Sequence, residues 1–301
     1  MTGLSHGRAV ALMVLATLMW SIAGVVTRWL DSAQSFEVTF WRSAFNALAL
    51  IALLSVMRGP ATLLQSLRRG GKALWLSGVC WSVMFTAFML AITLTTVANV
   101  LVTMALAPLL TALMARFALG HRLARRTWAA IALAGAGIAW MYGQELQGGR
   151  HLLGTVVALA VPIAAAINWT VIQSLRGKSE APDMLPAVLI GALISATLTL
   201  PMAWPLHASL HDVGWLALLG VFQLAIPCLM SVVVARTLPA PEISLLALLE
   251  VVFGVAWAWL GANETPTMAV LGGGALVLVA LAGNELLSIG STRKPAERSR
   301  A

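Results

Sequence analysis

The stretch Ala73–Phe117, ALWLSGVCWSVMFTAFMLAITLTTVANVLVTMALAPLLTALMARF, decides the fold. It contains two apolar runs, Ala73–Leu94 and Thr96–Phe117, joined by almost nothing. A helix crossing a bilayer needs about 20 mostly apolar residues. Each run therefore reads as one span, and the pair as a helical hairpin. Working outward, the same criterion picks Arg8–Leu30, Phe36–Met57, Thr127–Tyr142, His151–Gln173, Met184–Ala203, Asp212–Ala235, Pro241–Gly261 and Pro266–Ser288. The run at Thr127 is short. The first run exceeds the roughly 7–15 residues of a signal-peptide core and reads as a retained span. No linker is long enough to hold a soluble domain.

Composition agrees. Of the 301 residues, 60% are hydrophobic and 10% charged, against about 25% charged in ordinary soluble proteins. A water-soluble fold of this size cannot hide so much apolar surface, and a disordered chain needs the opposite composition. The formal charge of +8 does not point to nucleic acid, because Lys and Arg mark the cytoplasmic loops of membrane proteins. The two cysteines, Cys80 and Cys228, lie inside apolar runs and read as reduced packing residues.

Orientation follows from the basic residues. With the N-terminus inside, one face holds Arg8, Arg58, Arg68, Arg69, Lys72, Arg116, Arg122, Arg125, Arg126, Arg176, Lys178, Arg236, Arg293, Lys294, Arg298 and Arg300, sixteen of the 19. Arg28, Arg42 and Arg150 are the exceptions. This bias predicts an even number of spans and both termini in the cytoplasm. Trp29, Trp41, Trp75, Trp128, Trp140, Trp204, Trp215 and Trp259 sit near span ends, where amphipathic rings favour the interface. Trp20, Trp81, Trp169 and Trp257 lie deeper.

A shift of 143 residues lays spans one to five on spans six to ten, with Leu106 on Leu249, Ala132 on Ala275 and Leu133 on Leu276. Five spans is an odd number, so the second half enters the membrane with opposite orientation. Inverted repeats commonly bind substrate near the midplane between halves. The expected fold is an all-α membrane protein, ten transmembrane helices forming two inverted five-helix repeats around a central cavity. The expected divisions are 1–145, 146–290 and a basic cytoplasmic tail, 291–301.

Several motifs point the same way. Trp20-Ser21 lies in the first span, Phe40-Trp41-Arg42-Ser43-Ala44-Phe45-Asn46 opens the second, and Ala98–Trp140 carries Ala107-Pro108-Leu109-Leu110, Leu119-Gly120-His121-Arg122 and Gly135-Ala136-Gly137. Together they resemble the EamA-type branch of the drug/metabolite transporter superfamily, and within it the YddG-type bacterial amino-acid exporters, aromatic and broad-range. Where that family often has Glu-Pro in the fourth helix, this chain has Ala107-Pro108, and the mate position in the ninth has Glu250-Val251. A family Gly-Glu is here Gly120-His121, with Glu264 at the mate position. The resemblance implies a ten-helix basket in the bacterial inner membrane that expels metabolites.

The candidate site residues are read from their type and depth. Glu250 lies near the middle of an apolar span, where an acid costs about 2.5–3.5 kcal/mol and usually faces a cavity or a partner. It is suited to a substrate ammonium or a proton, or to a helix-locking hydrogen bond. Arg42, five residues from Glu37, suits a carboxylate or an interfacial anchor, and Asn46 lies one turn deeper on its face. Asn99, Thr103, Asn168 and Gln223 supply neutral polar groups, for substrate or for interhelical bonds. Trp20, Trp81, Phe85 and Trp169 suit an aromatic wall or plain packing. Pro108, Pro162 and Pro227 are candidate bends or gating points. The glycine runs Gly135-Ala136-Gly137 and Gly272-Gly273-Gly274 suit close helix packing.

Other patterns carry little. Gly3-Leu4-Ser5-His6-Gly7 fits a hydrolase motif but follows no strand. Gly177-Lys178-Ser179 ends like a phosphate loop, but Ile172 stands where the first glycine belongs. His207 and His211, beside Asp212, read as a solvated loop rather than a metal site. The expected protein is a monomeric transporter with no catalytic residues, metal, cofactor or nucleic-acid partner. It meets only lipid and a small zwitterionic or neutral substrate, by alternating access. Rival readings are a cationic-drug exporter, an intramembrane enzyme and a structural subunit.

Overall fold

A computed structural model of the chain describes residues 4–119, 125–143, 150–175, 182–234, 237–238, 240–280 and 282–283. The tail 291–301, the division at 145/146, Gly120-His121 and Gly177-Lys178-Ser179 lie outside the described residues. Among those described, the regular elements are all helical. They are α1 (His6–Ser21), α2 (Ala23–Thr27), α3 (Ser35–Arg58), α4 (Pro60–Arg69), α5 (Gly71–Leu94), α6 (Val97–Met104), α7 (Ala107–Leu119), α8 (Arg125–Gly143), α9 (Arg150–Leu175), α10 (Leu185–Ala203), α11 (Leu210–Leu218), a π-helical segment (Leu219–Ala225), α12 (Ile226–Val234), α13 (Ala240–Ala262) and α14 (Met268–Ala280).

Among the described residues, six stretches are long and apolar enough to cross a membrane: His6–Thr27, Ser35–Arg58, Gly71–Leu94, Leu152–Ile172, Leu185–Ala203 and Leu210–Val234. Four shorter apolar helices, Val97–Thr111, Trp128–Gly137, Leu249–Ala262 and Met268–Ala280, occupy the fourth, fifth, ninth and tenth places. The result is a ten-helix membrane fold. We call the side where α1 begins the N-terminal face and the other the distal face. The sequence reading did not anticipate α4, which leads from the second span to the third at the N-terminal face.

The halves meet over a broad surface. From the second half, α9 packs on α5, α10 on α3 and α5, and α12 and α13 on α1. Close approach depends on small residues. A Cβ on Gly137 would come within 2.7 Å of the Gly273 carbonyl, so these two glycines let the helices touch, while Gly135 and Gly272 meet nothing within 4 Å. A Cβ on Gly220 would meet Phe45 Cβ at 2.6 Å, the Arg42 carbonyl at 2.7 Å and the Asn46 amide at 2.8 Å. Gly220→Ala is therefore expected to cost about 1–3 kcal/mol by overpacking. Gly135→Ala, whose Cβ meets nothing within 4 Å, should leave the unfolding midpoint in detergent unchanged.

Among the described residues, three spans are interrupted within their length. The first breaks at Ile22, between α1 and α2, although no proline is present. The fourth breaks at Ala105–Leu106, just before Pro108, the second residue of α7. The eighth passes through the π segment, where the Ile226 N–H reaches the Val221 carbonyl. Pro227 explains that segment: a proline at 227 cannot donate to the Gln223 carbonyl as an α-register would require. Pro162 lies inside α9, which runs without interruption from Arg150 to Leu175.

Candidate functional site

The apolar core divides into clusters, and the charged candidates lie where the clusters end. One cluster includes Val38 of α3, Phe88 and Ile92 of α5, Leu216 and Leu219 around the start of the π segment, and Val251 of α13. A second includes Ala47 and Leu50 of α3, Trp81 and Phe85 of α5, and Leu224 and Cys228. A small third joins Ala9 and Met13 of α1 to Val234 and Leu238. Arg42, Asn46, Gln223 and Glu250 fall in the gaps between these sets on their own elements.

Arg42 is 1% exposed. Its guanidinium carbon lies 5.5 Å from the centre of the Phe88 ring, and its Nε and Nη1 have no hydrogen-bond partner. That excludes the interfacial-anchor reading, which needs the head group in water. Arg42 does not pair with Glu37, because Glu37 is engaged elsewhere. Asn46, fully buried, has neither its Oδ1 nor its Nδ2 bonded. Gln223 donates from Nε2 to the Trp20 carbonyl at 3.1 Å, at the helix break, while its Oε1 is unpartnered. Buried polar groups normally find partners, so this concentration of open donors and acceptors around one cation is suited to a polar guest. Glu250 keeps partial exposure and lies within electrostatic reach of Arg42, with Cys228 and Trp20 beside them.

The aromatic candidates form a neighbouring group. The Trp81 ring is 5.4 Å from Phe85 and 6.4 Å, edge-on, from Trp169, and Trp20 packs against the cluster that holds Trp81 and Phe85. Trp257, by contrast, is on the exposed surface. The other polar candidates make bonds within or between helices, although Asn168 Nδ2, like Gln223 Oε1, has no partner. Asn168 Oδ1 accepts the Ser77 hydroxyl at 2.5 Å. Asn99 Nδ2 donates to Thr95 Oγ1 at 3.2 Å, and the Thr103 hydroxyl donates to the Asn99 carbonyl at 2.7 Å. Residue type also concealed a hydroxyl cluster: Ser195 of α10 lies 2.9 Å from Ser43 of α3 and 2.8 Å from Thr86 of α5.

The distal face is tied across the halves. Buried Glu37 accepts the N–H groups of His207 at 2.9 Å and Ala208 at 2.7 Å. Reciprocally, buried Asp212 accepts those of Asp31, Ser32 and Ala33 at 2.9–3.0 Å and the Ser32 hydroxyl at 2.8 Å. Arg28 Nε meets Glu264 Oε2 at 3.0 Å, and Glu264 Oε1 accepts the Val97 N–H at 2.7 Å. Asp31, His211 and Asp212 have ligand-type atoms within 4.8 Å of one another. The Asp212 oxygens, however, are already occupied by these four donors. His207 is no part of that group. At the N-terminal face Arg58 pairs with Asp183.

A sequence profile described as the EamA-like transporter family matches twice, over residues 7–143 and 152–284. Among curated proteins, none matches. A solved crystal structure aligns over 94% of this chain and 99% of its own, with a TM-score of 0.66 at 19% identity. At that identity the likeness is one of fold.

Proposed function

The chain belongs to the EamA-like transporter family, and on that premise we propose that it exports amino acids across a bacterial inner membrane. Both termini are cytoplasmic in this reading, and the repeats 1–145 and 146–290 rock about the midplane of a monomer. The observation that carries it is Arg42, a buried guanidinium with two unpartnered nitrogens and Glu250 within electrostatic reach. A zwitterion has the matching pair, its carboxylate for Arg42 and its ammonium for Glu250. Asn46 and Gln223 offer neutral contacts, and the aromatic group of Trp20, Trp81, Phe85 and Trp169 suits apolar or aromatic side chains. Pro108 and Pro227, at two interrupted spans, are the proposed flexing points. This fits the aromatic and broad-range amino-acid exporters that the sequence motifs resemble.

Export of cationic drugs is the second reading, because an acid beside tryptophan also receives a lone cation. Uptake of radiolabelled amino acids into liposomes holding the purified protein separates the two. Amino-acid flux is the expected result; dye flux with no amino-acid flux would favour the drug exporter. Glu250→Gln should slow amino-acid flux about tenfold or more, given about 1.5–3 kcal/mol for a hydrogen bond to a charged group. The amount of folded protein should stay near normal. Loss of folded protein with undiminished specific activity would assign Glu250 to helix locking instead.

A further inference from the structure

At the N-terminal face, α4 presents basic residues that have no ion-pair partner among the described residues, next to an apolar groove. Its final turn carries Arg68 and Arg69, with Lys72 following at the start of α5, and all three are exposed. No Asp or Glu occurs between Glu37 and Glu145, and Asp183, on the same face, is paired with Arg58. Leu63 turns inward and packs with Leu67 on the core, while Leu64 is exposed. The helix is thus an amphipathic element resting at the membrane boundary, where basic faces attract anionic lipid.

The groove begins beside those cations. Leu67 of α4 and Trp75 of α5 line its mouth, and Ile190, Leu193 and Leu198 of α10 continue it, enclosing about 420 Å³. Its one polar lining residue, Thr197, donates its hydroxyl to the Leu193 carbonyl, so the wall is apolar throughout. Along its α10 lining, from Ile190 to Leu198, the helix rises about 12 Å. One leaflet of hydrocarbon is about 15 Å thick. With Leu67 and Trp75 at the end nearest the cations, the groove therefore covers most of the depth of one leaflet.

We propose that this groove binds one anionic phospholipid, its acyl chain along α10 and its phosphate on Arg68, Arg69 and Lys72. A zwitterionic lipid would fill the groove equally well but bring no net charge to the three cations. The site is separate from the midplane residues and does not depend on which substrate they carry.

The test is native mass spectrometry of the full chain in detergent, titrated with phosphatidylglycerol or with phosphatidylcholine of the same acyl chains. At least a tenfold preference for phosphatidylglycerol is expected. Neutralising the basic group (R68Q, R69Q and K72Q together) should abolish that preference. Leu193→Trp, or Thr197→Trp from an already exposed position, should fill the groove and remove the retained lipid, with size-exclusion behaviour confirming that the variants fold. Equal retention of the two lipids overturns the proposal. So does phosphatidylglycerol retention unchanged in both folded groove variants, which would reduce the site to surface charge. A dimer that the groove variants dissociate, without a retained lipid, would assign the groove to a second copy and also overturn it.

Discussion

Replacing Arg42 with Met is expected to lower amino-acid transport about 100-fold while leaving the unfolding midpoint in detergent unchanged or higher. The two expectations have one cause. Arg42 is 1% exposed, with Nε and Nη1 unpartnered, so its charge is a burden that the Phe88 face and Glu250, within electrostatic reach, only partly offset. A buried cation in a membrane span costs about 2.5–3.5 kcal/mol on insertion scales, and a well-packed apolar side chain of similar length removes that cost. Hydrogen bonds from a guanidinium to a carboxylate reach about 3 kcal/mol, which is about 100-fold in binding or rate. Arg42→Lys should recover only part of the flux, because an ammonium cannot form the paired, planar contact. Uptake into liposomes and thermal unfolding, measured on the same preparations, check this. A variant that loses stability and activity together would make Arg42 a structural residue and remove the main support for a carboxylate-bearing substrate.

Much of this arrangement was legible in the chain because it depends on local patterns. Apolar length placed the spans, and the basic residues and the 143-residue offset gave an even count in two halves. Depth in an apolar span singled out Glu250, since such spans tolerate charge only where it has a use, whereas Arg42 was picked out by side-chain type from the outer part of its span. What escaped depends on partners distant in sequence. Glu37 lies five residues from Arg42, beyond the favoured helix-pair spacing, and nothing in its surroundings announced that it binds backbone 170 residues away. Arg28 and Glu264, 236 residues apart, carry no pattern that links them. The break at Ile22 had no proline to announce it. The π segment was half visible: Pro227 marked a disturbance, but its form depends on Gly220 letting the segment lie against Arg42 and Asn46. The helix α4 was hidden because ten residues of mixed character between two spans read as a loop.

The second large effect is expected at Asp212. Asp212→Ala should destabilise the protein by about 3 kcal/mol, because it leaves three part-buried backbone N–H groups without an acceptor, at about 1–3 kcal/mol each, and water recovers part of that loss. Asp212→Asn, which keeps one acceptor oxygen, should cost about half as much. These bonds also cross between the halves: the carboxylate belongs to α11, and the donors to the loop between α2 and α3. If the distal face opens during transport, they break in every cycle, and weakening them favours the open form. A bias of about 3 kcal/mol shifts a two-state equilibrium about 100-fold. The check is a cysteine at Ala33, probed from outside the bilayer with a membrane-impermeant maleimide, with Cys80 and Cys228 buried and so slow to react. Labelling in the folded fraction should be much faster with Asp212→Ala than with Asp212 intact. Equal rates, with stability lowered all the same, would mean that the distal loops stay joined throughout and that access alternates by some other movement.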